Sequence, residues 1–257
     1  MQPSSLKLEE LSWPEIESLL KEGCTRIIVP LGATEQHGPG LPQGVDTWHG
    51  EETALRAAVI LDKTLVAPAV PIGYSPEHIS FPGTISLRKE TLVYLLEDIA
   101  ESLARSGFTF IYFWFGHGGD WAVARECLPN LRHRWQGTLV TFTLDVGKYV
   151  SETWDALPIG EGIAPEVSGS HAGEFEASMM SAIRPDLVKR ENLAEGDPRP
   201  LEEILTPMME NGIHTISKNG VLGDQRFANA ERGNRYLDGL ADWLVEDIKR
   251  QIITNDE

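Results

Sequence analysis

Two rhythms of apolar positions take turns along this chain: short unbroken apolar runs, and longer stretches with apolar residues three or four apart. "TRIIVPLG" and "FTFIYFWF" have almost no polar alternation, as expected of strands covered on both faces of a parallel sheet. The first is a strand over Arg26 to Leu31, "TLVAPAVPIG" is a second short strand broken by Pro71 and Gly73, and "GTLVTFTLDVG" is another. The helical rhythm is clearest in "KETLVYLLEDIAESLARSG", where Leu92, Leu95, Leu96, Ile99 and Leu103 share one face and Gly107 is the stop. "SWPEIESLLKEG" opens with Ser12 as N-cap, Glu15 completing a capping box and Pro14 in the first turn, and closes at Gly23. Further helices are predicted over about His49 to Leu61, from Asp120 or Trp121 onward, in "HAGEFEASMMSAI", and in "NAERGNRYLDGLADWLVEDIKRQI", the last packing across the outside. The stretch from about Lys148 to Ser170 reads as irregular.

Strands alternating with helices predict an α/β fold with a mainly parallel sheet. No internal repeat is present, and the chain beyond the linker-like "AEGDPRPLEE" is too short for a second unit, so residues 1–257 are read as one domain. A 41% hydrophobic and 24% charged composition is that of a globular chain able to bury a sizeable core. Thirty-nine acidic against 22 basic residues, a formal charge of -17, speaks against nucleic acid as a partner, because phosphate backbones need a positive face. Cys24 and Cys127 make no disulfide framework and no CxxC motif, which points to a reducing cytoplasm. "FTFIYFWF" falls far short of the roughly 20 residues needed to cross a bilayer. With no basic segment followed by an apolar one at the N-terminus, neither a membrane span nor a signal peptide is expected.

The chemistry-bearing residues cluster where strands end. In "LGATEQHGPGLPQGVD", Glu35 and His37 have the i, i+2 spacing that puts both side chains on one side of an extended segment, and Asp46 can return to them through "GPGLPQG". Mixed carboxylate and imidazole donors suit zinc, manganese or iron, whereas calcium and magnesium prefer oxygen alone. A structural reading of the same segment stands level: Glu35 as a helix cap, His37 bonded to a backbone carbonyl, Asp46 serving a turn. "GHGGD" places His117 and Asp120 just past "FTFIYFWF", where a satisfied structural histidine and a ligand are both open, as is an anion cradled by the glycines. "SGSHAGEFEAS" offers His171, Glu174 and Glu176 at a helix start; the two glutamates cannot share a helical face, so one points inward, and either can instead simply favour the helix N-terminus. "SPEHISFPGTISL" sets Glu77 and His78 in a rigid turn that is either a plain hairpin or a substrate-facing loop. Open α/β sheets bind ligands outside the carboxyl ends of their strands, which gives these segments a common meeting place.

"GATEQHGPGLPQGVD", "YSPEHISFPGTISL", "GHGGD" and "HAGEFEAS", spread from Gly32 to Ser178, together resemble the creatininase family of metal-dependent amidohydrolases. The resemblance implies a single three-layer α/β/α domain, often assembled as a homohexamer. It implies two divalent metal ions per subunit (zinc, manganese or iron), held by Glu35, His37, Asp46, His117 and Glu174 with Asp46 bridging. It places His171 near the reacting centre as a proton carrier, with Glu77 and His78 shaping the substrate site. Two departures stand out: Asp120 occupies a place where the family often has Asn, adding an acid beside His117, and Gly118 and Gly119 stand where creatininases proper carry Tyr and Glu. The implied reaction is attack on a small-molecule amide or cyclic-amide carbonyl, such as that of creatinine, by a hydroxide shared between the metals, with His171 moving a proton to the leaving nitrogen. Branches that deformylate a formamide, trim a peptide or open a cyclic ketone are alternatives within that chemistry. A non-catalytic assembly protein with one structural metal is the alternative outside it.

Overall fold

The computed structural model describes residues 3–134 and 137–256. Four parallel strands, β1 (Arg26–Leu31), β2 (Thr64–Val66), β3 (Phe110–Phe115) and β4 (Leu139–Phe142), lie in the order β2-β1-β3-β4. Arg26 stands opposite Phe110 and Leu31 opposite Phe115, so β1 and β3 end level at the sheet's carboxyl edge. The helices are α1 (Trp13–Lys21), α2 (Val45–Leu61), α3 (Lys89–Ser106), α4 (Asp120–Arg134), α5 (Val146–Val150), α6 (Ala156–Gly160), α7 (Pro165–Ser168), α8 (Glu174–Ile183), α9 (Leu201–Asn211) and α10 (Ala230–Asp256). Among the described residues none is long and apolar enough to cross a membrane.

The unbroken apolar runs are explained by cover on both sides. Ile27, Val29 and Leu31 of β1 and Ile111, Phe113 and Phe115 of β3 pack under α3 and α4, against Leu92, Leu96, Ala100, Val123 and Cys127. Alternate residues Ile28, Tyr112 and Trp114 face the other way, onto Ala54, Ala57 and Ala58 of α2, Phe175 and Met179 of α8, and Leu237, Leu240 and Leu244 of α10. The result is the α/β/α sandwich expected from the sequence. Ser12 and Glu15 form the predicted capping box, the Ser12 N–H donating to Glu15 Oε2 at 2.8 Å, and Gly107 ends α3 in the left-handed region at φ 109°. Cys24 and Cys127 are both free thiols.

Three expectations change. The stretch from Lys148 to Ser170 is largely helical: α5 runs through a π-helical turn at Ser151–Asp155 into α6, with α7 after it. Its short pieces carry too little periodicity to register, and they are held by packing, with Tyr149 buried against Trp114 and Trp243. α10 does not merely cross the outside; its apolar stripe closes the second core and packs on α2 and α8. Finally, α2 begins at Val45 and not near His49, with Gly44 at its N-cap offering no side-chain signal. The earlier start brings Asp46 and His49 into one helical turn.

Candidate metal centre

The site is assembled at the sheet's carboxyl edge from the segments that leave β1 and β3. β1 runs into the loop bearing Glu35 and His37, which is pinned where the Gln225 amide donates to the His37 carbonyl at 2.8 Å. β3 is followed by Gly116, where any side chain would collide with the Asp46 carbonyl; this close approach sets the first turn of α2 against the residue preceding His117. The Pro76–His78 turn and the start of α8 close the remaining sides.

Asp46 lies at the centre. Its Oδ1 is 3.1 Å from His37 Nε2 and 3.8 Å from His49 Nε2, while its Oδ2 is 3.8 Å from His117 Nδ1. On the Oδ1 side Glu176 Oε1 stands 3.5 Å from His37 Nε2 and 4.0 Å from His49 Nε2. On the Oδ2 side Glu35 Oε2 is 3.4 Å from His117 Nδ1. Potential donor atoms thus converge within 4.8 Å of one another in the groups Glu35, Asp46, His117 and Asp46, His49, Glu176, which share Asp46.

The imidazoles are aimed by the backbone. His37 Nδ1–H donates to the Glu35 carbonyl at 3.2 Å and His117 Nε2–H to the Tyr74 carbonyl at 3.1 Å, so each turns its other nitrogen toward the carboxylates, where it carries a proton that a cation would replace. An outer hydrogen bond that fixes the tautomer is the usual support of a metal-ligating histidine. Both Glu35 oxygens, Asp46 Oδ2 and His49 Nε2 are buried with no hydrogen-bond partner, a costly arrangement unless something else binds them. The donor set, carboxylate and imidazole with no thiolate, fits divalent cations of the zinc, manganese or iron kind.

Electrostatics agree. Burial drives the Glu35 carboxyl up to about 8. Burial would lower His117, but Glu35, Asp120 and Asp46 outweigh it and lift the imidazole to about 10. Asp46 is held well below its usual range, its burial outweighed by His37, His49 and His117. Protons on His37 and His117 thus offset the carboxylates, the places that cations would take. Burial also raises Asp120, to about 6.

Glu174 does not join the cluster. Its carboxylate accepts from Arg232 Nε at 2.7 Å, from Tyr236 O–H at 3.1 Å and from the Ser178 hydroxyl, facing α10. Glu176, two residues along the helix, faces the cluster instead, its second oxygen accepting the Ala172 N–H. The structure therefore brings Glu176 to the cluster, and not Glu174 as the resemblance implied. The other residues singled out by sequence do meet here. His171 Nδ1 is 3.6 Å and His78 Nε2 3.4 Å from Glu35 Oε1, and Glu77 Oε1 is 3.8 Å from His78 Nε2 and 4.0 Å from His117 Nε2. Asp120 Oδ1 accepts the Tyr74 N–H at 2.8 Å, steadying the carbonyl that holds His117. His49 and Gln36 are the buried polar residues that sequence reasoning passed over; the i, i+3 spacing of Asp46 and His49 was the available signal.

A family model described as "Creatininase: Creatinine amidohydrolase" matches residues 9–248. The chain is 33% identical over 237 residues to a mycofactocin precursor peptide peptidase of Mycobacterium ulcerans, covering 87% of this chain and 84% of that one. It is 28% identical over 265 residues to the creatinine amidohydrolase of Pseudomonas putida, covering 95% and 98%. Among solved structures, a creatininase variant of "Zn-Zn type" superposes with a TM-score of 0.80 at 26% identity, over 96% of this chain and 98% of that one. A structure named "Creatininase Mn" superposes with a TM-score of 0.78 at 26% identity, over 96% and 99%.

Proposed function

Because this chain belongs to the creatininase family of hydrolases, we propose that it cleaves a C–N bond of a small amide or cyclic amide, of which creatinine is one example, at a centre of two divalent cations. The observation that carries the reading is Asp46, which belongs to two separate groups of potential donors, with unpartnered buried atoms on Glu35 on one side and His49 on the other. Glu35 and His117 would hold one ion, and His37, His49 and Glu176 the other. Such ions, when bound, supply Lewis acidity that lowers the pKa of water and polarises a carbonyl.

The chain's own residues supply the proton transfers and the shape of the site. His171 has the most exposed side chain of the five clustered imidazoles, at 12% against 0% for His37, so it is the one within reach of a substrate. Burial and the positive His37 pull it down to about 4 in the metal-free protein, and its place at the opening of the site suits it to carry a proton to a leaving nitrogen. Glu77 and His78 border the same space and serve recognition. Both thiols being free is consistent with work in the cytoplasm, and the exposed Ile79, Ile85, Leu205 and Met209 suit burial against further copies in a homo-oligomer such as a hexamer.

Removal of a residue from a peptide is the second reading, favoured by the 33% identity to a peptide peptidase and by Gly118 and Gly119 in place of creatininase side chains. Zinc- or manganese-loaded protein assayed on creatinine, formamides and short peptides separates the two. Turnover of a small amide supports the first reading and turnover of peptides alone the second. A fully loaded protein that hydrolyses none of them would refute both.

A further inference from the structure

The loop that carries Glu35 and His37 is held from two sides, and the change of hands falls at Gln36. Ahead of it, the Thr34 carbonyl accepts the Ile85 N–H at 2.9 Å and the Glu35 N–H donates to the Gln43 carbonyl at 3.0 Å. The Gln36 N–H reaches the Thr84 hydroxyl at 3.2 Å, so the peptide group after Glu35 is fixed by the "FPGTI" turn. Beyond Gln36 the partners come from much later in the chain. The His37 carbonyl accepts from the Gln225 amide at 2.8 Å, and the Gly40 carbonyl accepts the Lys189 N–H at 2.8 Å.

This second side uses "AEGDPRPLEE", whose composition reads as a linker. Its first residues instead pair with Val221 to Gln225. The Gln225 N–H donates to the Ala194 carbonyl at 3.1 Å, the Gly196 N–H to the Gly223 carbonyl at 2.8 Å and the Asp197 N–H to the Val221 carbonyl at 3.0 Å, with Glu195 antiparallel to Asp224. Gln225 is wholly buried between this ribbon and the ligand loop. Its amide has one orientation, because the Ala194 N–H can only donate, to Oε1 at 3.4 Å, and the His37 carbonyl can only accept, from Nε2. Gly38, at φ +71°, lies against the same amide; a Cβ there would run into Val221 and stand 3.1 Å from Gln225 Nε2.

We propose that Gln225 is the positioning residue for the His37 half of the centre, so that the cation assigned to His37, His49 and Glu176 depends on it and the cation assigned to Glu35 and His117 does not. His49 and Glu176 stand on α2 and α8, whose own backbone ladders hold them. His37 stands on irregular backbone and needs an outside partner to fix the peptide group that follows it. Loss of the Gln225 donor leaves that buried carbonyl unpaired, and the loop must shift to satisfy it. Glu35 keeps its three backbone anchors throughout.

The inference rests on the two-cation reading for what is held, but its structural test needs no metal. Gln225→Met and Gln225→Leu both remove the donor while filling the space with different shapes. Crystals of each metal-free variant should show the His37 ring displaced from Asp46 and Glu176 with Glu35 superposing on the wild type. His37 unmoved, or Glu35 moving with it, would overturn the proposal whatever the protein binds. In calorimetric zinc titrations, the step that His49→Ala weakens should weaken by about 10- to 100-fold in both variants, with the other step near native. Equal weakening of both steps, or of neither, would also overturn it. A wild type that takes up a single zinc ion would retire the two-cation reading, and the crystal comparison would then decide the role of Gln225. Failure of both variants to fold would make Gln225 a residue of the fold at large and refute the assigned role.

Discussion

The choice between Glu174 and Glu176 can be read from metal content. Glu176 Oε1 faces His37 and His49 across 3.5 and 4.0 Å, and its other oxygen accepts the Ala172 N–H. Gln in its place keeps an acceptor for that N–H but removes a buried charge from the cations. Breaking a buried ion pair costs roughly 3–5 kcal/mol, which as binding energy is a loss of roughly two to four orders of magnitude in affinity. Glu174→Gln acts elsewhere. It weakens the clasp on Arg232, whose side chain is 16% exposed, and on Tyr236, and so loosens α8 from α10. Charge-assisted hydrogen bonds of this kind contribute about 1.5–3 kcal/mol, and each kcal/mol moves the melting point of a chain this long by about 2–4 °C. Metal content by mass spectrometry after dialysis against a weak chelator, with calorimetric melting of the metal-free proteins, reads both effects. Glu176→Gln should lose one ion, and its metal-free form, having lost the partner of a protonated His37, should also melt lower. Glu174→Gln should keep both ions and melt about 3–12 °C lower. The reverse pattern would show that the inward carboxylate has been misassigned.

His49→Ala should weaken one of the two metal-binding steps in a calorimetric titration and spare the other; equal weakening of both would place His49 outside the Glu176 side of the site. His171→Ala should retain both ions yet lower kcat on any turned-over amide by about 10²- to 10⁴-fold, and native kcat would remove it as the proton carrier. Metal uptake should release protons, because burial leaves Glu35 titrating near 8 and the surrounding carboxylates leave His117 titrating near 10 in the metal-free protein. By mass action, apparent affinity should then rise with pH below those values. Titrations in buffers of different ionisation enthalpy check this, and heats independent of buffer would contradict it.

The sheet was legible because its central strands are buried on both faces and written as unbroken apolar runs; Ile27–Leu31 and Phe110–Phe115 need no partner to be recognised. The ligand loop was legible for a different reason, its donors being close in sequence. The features that escaped depend on contacts distant along the chain. Glu174 and Glu176 look alike at a helix start, and what separates them is Arg232 and Tyr236, some sixty residues later on α10. His49 escaped because α2 opens on Gly44, which gives no capping signal, and an N-terminus placed four residues late hides the turn His49 shares with Asp46. Gln36 reads as a spacer in "TEQHG"; only folding brings His78, His171 and Gly220 around it.

The central claim is that Asp46 joins two cation sites. A crystal grown with zinc, with anomalous difference maps recorded on both sides of the zinc absorption edge, tests it directly. Two peaks are predicted, one flanked by His37, His49 and Glu176 and the other by Glu35 and His117, with one Asp46 oxygen on each. A single peak, or two that do not share Asp46, would contradict the account.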